Sequence, residues 1–148
     1  MRLYFAYGSN MMAKQMEDRC PNHQLVGRGV LKGYRWIISY RGYANIVKSS
    51  SNEVFGVVYE ISDSDERDLD RYEGVDKGFY RKELLSVEVD GSPRICLIYI
   101  DPVEEEGLPK AEYIKRINTG IQDAKLPPEY VQNFIRKYVP DKTHFPQI

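Results

Sequence analysis

The order of apolar and polar residues along the chain predicts mainly strands, with a few short helices between them. Residues 2–7 (RLYFAY) are almost continuously apolar, which is typical of a strand buried on both faces, and the sequence GSN at 8–10 ends it. Further runs of this kind are separated by turn residues, and Asp90-Gly91 predicts a hairpin turn between the last two. The predicted strands are 2–7, 24–31, 34–40, 44–48, 53–61, 80–89 and 94–100.

Four helices are predicted between and after these strands. The first covers residues 11–20. The second covers 63–73, since Asp63 and Glu66 are spaced as a capping pair at its start and Gly74 ends it. The other two are 110–123, with apolar residues at helical spacing, and 128–138, which begins with a proline.

Six or seven strands with short helices between them predict an α+β fold, and strands of this number can close into a small barrel. The length of 148 residues and the absence of a repeat or linker predict a single domain over 1–148. No apolar run approaches the ~20 residues of a membrane-spanning helix, and the start lacks the pattern of a signal peptide. The sequence therefore predicts a cytoplasmic location.

Composition narrows the choice of partners. The formal net charge of −1 gives no indication of a nucleic-acid or membrane partner. The two cysteines, Cys20 and Cys96, match no metal-binding pattern and indicate free thiols in a reducing compartment. The twelve tyrosines fit either a β-rich core or an aromatic-lined polar pocket, and composition does not choose between them.

Glu73 is the first candidate for chemistry. In a helix over 63–73, Leu69 is the only aliphatic side chain, so its face should be buried, and Glu73 follows four residues later on that face. Burial and the negative end of the helix dipole would both raise the pKa of the Glu73 carboxyl, which suits general acid–base work. From the pattern alone, a glutamate that faces solvent, as helical glutamates usually do, is the favoured interpretation.

The tripeptide Gly8-Ser9-Asn10 is the second candidate. Glycine lets the backbone turn sharply after a buried strand, and amides at the start of a helix can bind an anion or a developing oxyanion. The alternative is a plain turn in which Ser9 or Asn10 caps the following helix. The sequence is neither a Walker loop nor a dinucleotide-binding fingerprint.

The remaining polar residues predict no further site. His23 and His144 lie far apart in the sequence, in a loop and in the tail, and neither has an evident partner. The acidic run at 63–70 is interleaved with Arg67 and continues to Arg71, which is typical of a solvated helix face rather than a metal site.

Four stretches of the chain resemble the γ-glutamylcyclotransferase family (AIG2-like). They are LYFAYGSNM at the N-terminus, EVFGVVYEI in the middle, YEGVDKGFYRK after the predicted helix, and EYIKRINTGIQDAKLPPEYV near the C-terminus. Together they cover nearly the whole chain, in the order found in the family. The resemblance implies a small mixed β-barrel with flanking helices and an enzyme that cyclises a γ-glutamyl group to 5-oxoproline, releasing an amino acid or amine without a cofactor or metal.

The resemblance also implies roles for individual residues. The family's catalytic glutamate corresponds to Glu73, and its pocket tyrosines correspond to Tyr80 and Tyr113. Its substrate-binding loop corresponds to the following residues: Tyr4, Phe5, Ala6, Tyr7, Gly8, Ser9 and Asn10. The sequence is compatible with this loop holding either the γ-oxygen or the α-carboxylate of the glutamyl group.

Two other functions remain compatible with the sequence. The fold could bind a γ-glutamyl-like metabolite as a sensor or carrier without turnover. It could also act on another amide, such as a γ-glutamylamine. The expected partner in each case is a small molecule, and the chain is compatible with a monomer or a small homodimer.

Overall fold

Five strands form a closed barrel in the computed structural model of the protein, which describes residues 1–141. The order around the barrel is β1-β3-β2-β4-β5. β1 runs parallel to β5, with Tyr4 opposite Leu97, and the other neighbours are antiparallel, so the barrel is mixed. The strands are β1 Arg2–Ala6, β2 Gln24–Ile38, β3 Ala44–Ile61, β4 Arg81–Val89 and β5 Ser92–Ile100.

The predicted mixed barrel is confirmed, but the predicted count of six to seven strands is wrong. The two predicted strands before residue 41 are one strand, β2, and the next two are likewise one strand, β3. The pairing of β2 with β3 shifts between Lys32, opposite Glu53, and Tyr34, opposite Lys48. A bulge of this kind bends a strand without ending it, so turn-like residues sit inside a continuous ladder.

The helices flank the barrel. A 3-10 turn, Ser9–Met11, leads into α1, Ala13–Arg19, which begins two residues later than predicted. A second 3-10 turn, Val75–Lys77, follows α2. The helical part after Pro127 ends at Ile135 rather than at residue 138, because a π-helix, Val131–Ile135, continues α4 and a turn follows it. The other helices are α2 Asp63–Tyr72, α3 Ala111–Ala124 and α4 Pro128–Tyr130.

The ends of α2 are set by local contacts. Ser62 caps the helix through a capping box with Asp65: the amide of Asp65 donates to Ser62 Oγ (3.1 Å) and the amide of Ser62 donates to Asp65 Oδ2 (3.3 Å). The predicted pair, Asp63 and Glu66, was therefore one residue out of register. The predicted end at Gly74 is confirmed, since this residue adopts the left-handed conformation (φ 63°) that glycine favours.

The interior of the barrel is apolar. Phe5, Trp36, Val58 and Ile98 are almost fully buried, and Leu69 attaches α2 to the same core. Within residues 1–141, no helix is long and apolar enough to cross a membrane.

Candidate functional site

A cavity of about 340 Å³ lies where the end of β1, the end of α2 and the start of α3 meet. Residues from seven segments of the chain converge on it, and half of the lining residues are aromatic. It is lined by Tyr4, Phe5, Tyr7, Gly8, Ser9, Asn10, Arg19, Arg41, Tyr43, Ala44, Tyr72, Glu73, Phe79, Tyr80, Tyr99, Glu112, Tyr113 and Arg116.

Glu73 reaches this cavity from the C-cap position of α2. Its amide donates to the carbonyl of Leu69 (2.8 Å), and Leu69 is fully buried, so the face of the helix that carries both residues turns toward the core. Gly74 then redirects the chain, and a Cβ at that position would lie 2.5 Å from the ring of Phe79. The predicted inward orientation of Glu73 is therefore present in the fold.

Burial raises the pKa of the Glu73 carboxyl to about 7. The residue is half-buried: protein atoms surround it and the cavity gives access to it. The positive charges of Arg19 and Arg41 oppose the shift, but burial outweighs them. Desolvation, one of the two causes expected from the sequence, is thus sufficient to bring this carboxyl into the neutral range.

The turn at Tyr7–Asn10 is held by side chains that are distant in sequence. The amide of Ser9 donates to the hydroxyl of Tyr113 (3.3 Å). The indole nitrogen of Trp36 donates to the carbonyl of Tyr7 (2.9 Å), and the hydroxyl of Tyr59 donates to the carbonyl of Asn10 (2.9 Å). The backbone of this turn is therefore positioned by three elements other than its own.

The side chains of Ser9 and Asn10 do not cap α1, because the residue at the cap position is Met12 and the amide of Ala13 in the first turn donates to Oδ2 of Asp123 (2.9 Å). They bind Gln15 instead, whose Nε2 donates to Ser9 Oγ (2.6 Å) and to Asn10 Oδ1 (2.8 Å). Asn10 Nδ2 in turn donates to the hydroxyl of Tyr4 (2.9 Å). The capped-turn interpretation is wrong here, and the polar side chains of the turn form part of the cavity wall.

Gly8 provides the close approach expected from the sequence. A Cβ on this residue would lie 2.8 Å from the hydroxyl oxygen of Tyr113 and 3.1 Å from Cβ of Ala44. The Tyr113 hydroxyl also accepts a hydrogen bond from the amide of Ala44 (3.3 Å), and the Tyr80 hydroxyl donates to the Ala44 carbonyl (3.1 Å). Both predicted pocket tyrosines thus bond the backbone of Ala44 in β3, and Tyr113 also bonds the turn through Ser9.

Nearly all the residues named from the sequence come together at this cavity. Ala6 is the exception, since it is buried in the core and does not line the wall. His23 lies outside the lining and its Nδ1 donates to the carbonyl of Cys20 (2.7 Å), and His144 lies outside the described residues. In the described part of the chain, no three His, Cys, Asp or Glu side chains are grouped as metal ligands.

Sequence reasoning missed half of the cavity wall. The residues concerned are Arg19, Arg41, Tyr43, Ala44, Tyr72, Phe79, Tyr99, Glu112 and Arg116. Arg41 had a weak signal, since it stands in an Arg-Gly turn between two predicted strands. Tyr43 and Phe79 lie in loops and the others occupy ordinary helix or strand positions, and only the closure of the barrel brings them to one place.

Comparison with known proteins agrees with this geometry. The family model described as the AIG2-like family matches residues 53–134. The γ-glutamylcyclotransferase of Homo sapiens is 30% identical over 141 residues, covering 86% of this chain and 74% of that protein. The γ-glutamylcyclotransferase of Mus musculus is 31% identical over 142 residues, with the same coverage.

Solved structures share the fold. A γ-glutamyl cyclotransferase structure superposes with a TM-score of 0.84 at 26% identity, covering 99% of this chain and 92% of that one. The structure of YkqA from Bacillus subtilis gives a TM-score of 0.77 at 31% identity, covering 92% of this chain and 53% of that one.

The fold and the cavity define a small mixed β-barrel with an ionisable carboxyl in a tyrosine-lined pocket. The chain belongs to the γ-glutamylcyclotransferase family (AIG2-like). Membership supports cyclotransferase activity in general.

Proposed function

We propose that this protein cyclises the γ-glutamyl group of a γ-glutamyl amide to 5-oxoproline and releases an amino acid or amine, with Glu73 as the general acid and base. One observation carries the proposal: the carboxyl of Glu73 opens into the cavity, and burial raises its pKa to about 7. A group with this pKa exchanges protons readily in both directions near neutral pH.

The reaction requires the α-amine of the substrate to attack its own γ-carbonyl carbon. The α-ammonium first loses a proton to Glu73, because only the neutral amine has a lone pair to donate. A C–N bond then forms to close the five-membered ring. The bond to the leaving nitrogen breaks as that nitrogen accepts the first proton from Glu73. Glu73 then takes the second proton from the ring nitrogen and passes it to the released amine, which leaves as an ammonium ion. Only protons move between groups, so the balance needs no cofactor or metal.

Two tyrosine hydroxyls are suited to stabilise the oxyanion that forms on the γ-oxygen. The Tyr4 hydroxyl accepts a hydrogen bond from Asn10, and the Tyr113 hydroxyl accepts from the amides of Ser9 and Ala44. Burial raises the pKa of Tyr113 to about 12 and holds that of Tyr4 well above its ordinary value, so both stay protonated. Each keeps its own proton to donate to a ligand, and the bonds it accepts strengthen that donation.

This assignment differs in one respect from the expectation that the amides of the turn contact the ligand. The amide of Ser9 already donates to Tyr113. This amide would therefore act on the substrate indirectly, by strengthening the hydrogen bond that the Tyr113 hydroxyl donates. Because ring closure is intramolecular, the rest of the wall mainly has to hold the substrate in a folded conformation.

The decisive experiment incubates the protein with γ-glutamyl dipeptides, glutathione and γ-glutamylamines and detects 5-oxoproline by mass spectrometry. We expect Glu73→Gln to lower kcat by roughly 10²–10⁴-fold, the usual contribution of a general acid–base, while ligand binding measured by calorimetry persists. Glu17→Gln, an exposed glutamate of α1 outside the cavity, is the matched control. Retained activity in Glu73→Gln would contradict the acid–base role, and binding without product in the wild type would favour a sensor.

A further inference from the structure

Arg41 is the most firmly built cation of the cavity. It lies in the turn between β2 and β3, and its Nε and Nη2 donate to Oδ2 of Asp101 at 3.0 and 2.7 Å. Nη2 also donates to the carbonyl of Phe79 (3.1 Å). The guanidinium lies over the rings of Phe79 and Tyr80, with its carbon 5.1 and 5.4 Å from their centroids. This arrangement fixes the orientation of the side chain.

The carboxylate that holds Arg41 is itself rigid. Asp101 is 1% exposed, and its Oδ1 accepts from the amide of Val103 (2.8 Å). The buried side chain of Asn45 donates to the carbonyls of Asp101 and Val103, both at 3.0 Å, and accepts from the amide of Asp101 (2.9 Å). A guanidinium fixed in this way has little conformational freedom left to lose when it binds a ligand, so its entropic cost of binding is small.

One edge of the guanidinium remains available. The three N–H groups on Nε and Nη2 are all used, whereas Nη1 donates to no residue within the described chain. Arg41 lines the cavity. Of the other two arginines there, Arg116 faces Glu112 at 3.3 Å, and Arg19 donates to Asn10 and lies over the exposed ring of Tyr72. Arg41 is therefore the cavity arginine that is paired with a buried carboxylate, Asp101, and whose Nη1 donors are unused within the described chain.

We propose that Arg41, held by Asp101, binds a carboxylate of the γ-glutamyl substrate and so selects substrates that carry it. This inference rests on the proposed function. A γ-glutamyl amino acid has two carboxylates, one on the α-carbon of the glutamyl group and one on the leaving amino acid. Either loses hydration when it enters the cavity and requires a charged donor in exchange.

The test measures binding by calorimetry in a Glu73→Gln background, where turnover does not interfere. The probes are γ-glutamylalanine, γ-glutamylethylamine, which lacks the carboxylate of the leaving group, and 4-aminobutanoylalanine, which lacks the α-carboxylate. The main variant is Arg41→Met with Asp101→Asn, because removing Arg41 alone would leave a buried carboxylate unpaired. Arg41→Lys, which keeps the charge but not the planar fork, serves if the double variant does not fold.

We expect the double variant to bind γ-glutamylalanine roughly 10- to 100-fold more weakly, as for the loss of a charged hydrogen bond, and Arg41→Lys to show a smaller loss. A loss that persists with γ-glutamylethylamine and disappears with 4-aminobutanoylalanine assigns Arg41 to the α-carboxylate. The reverse assigns it to the leaving group.

Four results would overturn the inference: unchanged affinity for all three probes, an equal loss with both single-carboxylate analogues, no binding of γ-glutamylalanine to the Glu73→Gln background, or an equal loss in Arg19→Gln, which removes another cavity charge. Turnover by the wild-type protein is measured in parallel. If the wild type turns over substrate but binding does not depend on Arg41, the proposed function stands and this inference is wrong. If binding depends on Arg41 but the wild type shows no turnover, the carboxylate-binding role of Arg41 stands and the proposed function is wrong.

Discussion

The Glu73 corner and the turn at Tyr7–Asn10 face the same cavity but are held in different ways. The corner depends on contacts within a few residues: the capping box at Ser62, the bond from the Glu73 amide to Leu69 and the left-handed Gly74. The turn is held by Trp36, Tyr59 and Tyr113, the last of them 104 residues away along the chain. Damage to the first region should therefore act on the helix and its carboxyl, and damage to the second should act on the register of several elements at once.

The largest expected effect concerns the Glu73 corner, the region held by local contacts. The pKa of Glu73 in the folded state is about 7, above its ordinary value, so the folded state binds this proton more tightly. The contribution of this carboxyl to the free energy of unfolding is therefore greatest at low pH and falls as the pH rises from about 4 to above 7, by at most about 3 kcal/mol. Glu73→Gln should lack this fall and be more stable than the wild type at pH 8.

Urea unfolding at pH 5 and pH 8 measures this effect. Glu17→Gln, with an exposed carboxyl, is expected to follow the wild type at both pH values. Equal pH dependence in the wild type and Glu73→Gln would mean that the carboxyl is not destabilised by burial.

The next effect breaks the turn. Gly8→Ala places a Cβ 2.8 Å from the Tyr113 hydroxyl, which forces the turn and α3 apart. We expect kcat/KM to fall by roughly 10²-fold, as for a displacement of about 1 Å in a positioned site. Gly8→Ala with Tyr113→Phe removes the contacting oxygen, so the double variant should lose little more than Tyr113→Phe alone. Fully additive losses in kcat/KM would show that the two residues act independently.

The smallest expected effects compare two serines, Ser62 at the start of α2 and Ser9 in the turn. Ser62→Ala removes a helix cap and should lower the free energy of unfolding by about 1 kcal/mol, with kcat/KM almost unchanged, because Glu73 lies at the other end of the helix. Ser9→Ala removes no cap, only the bond from Gln15. It should change kcat/KM more than stability. Urea unfolding and steady-state kinetics on both variants test this, and the reverse pattern would contradict the assignment of the two serines.

The accuracy of the sequence predictions follows the same division. The α2 helix, its end at Gly74 and the inward carboxyl of Glu73 depend on spacing within one helix, and all three are present. The role of Ser9 and Asn10 as caps was wrong, because Gln15 and Tyr4 compete for their side chains. The strand count was wrong since a bulge beside Gly33 resembles a turn when only neighbours are considered.

The sequence by itself determined which segments are strands or helices, the glutamate at the end of α2, and, through its resemblance to the family, the mixed barrel. Local spacing and turn chemistry depend on residues a few positions apart, so they can be read along the chain. Only the tertiary structure decided that Arg41 is fixed by Asp101 with one edge free, and that the Ser9 amide meets the Tyr113 hydroxyl. These contacts join residues 60 and 104 positions apart, and their geometry is set by how the closed barrel brings its ends together.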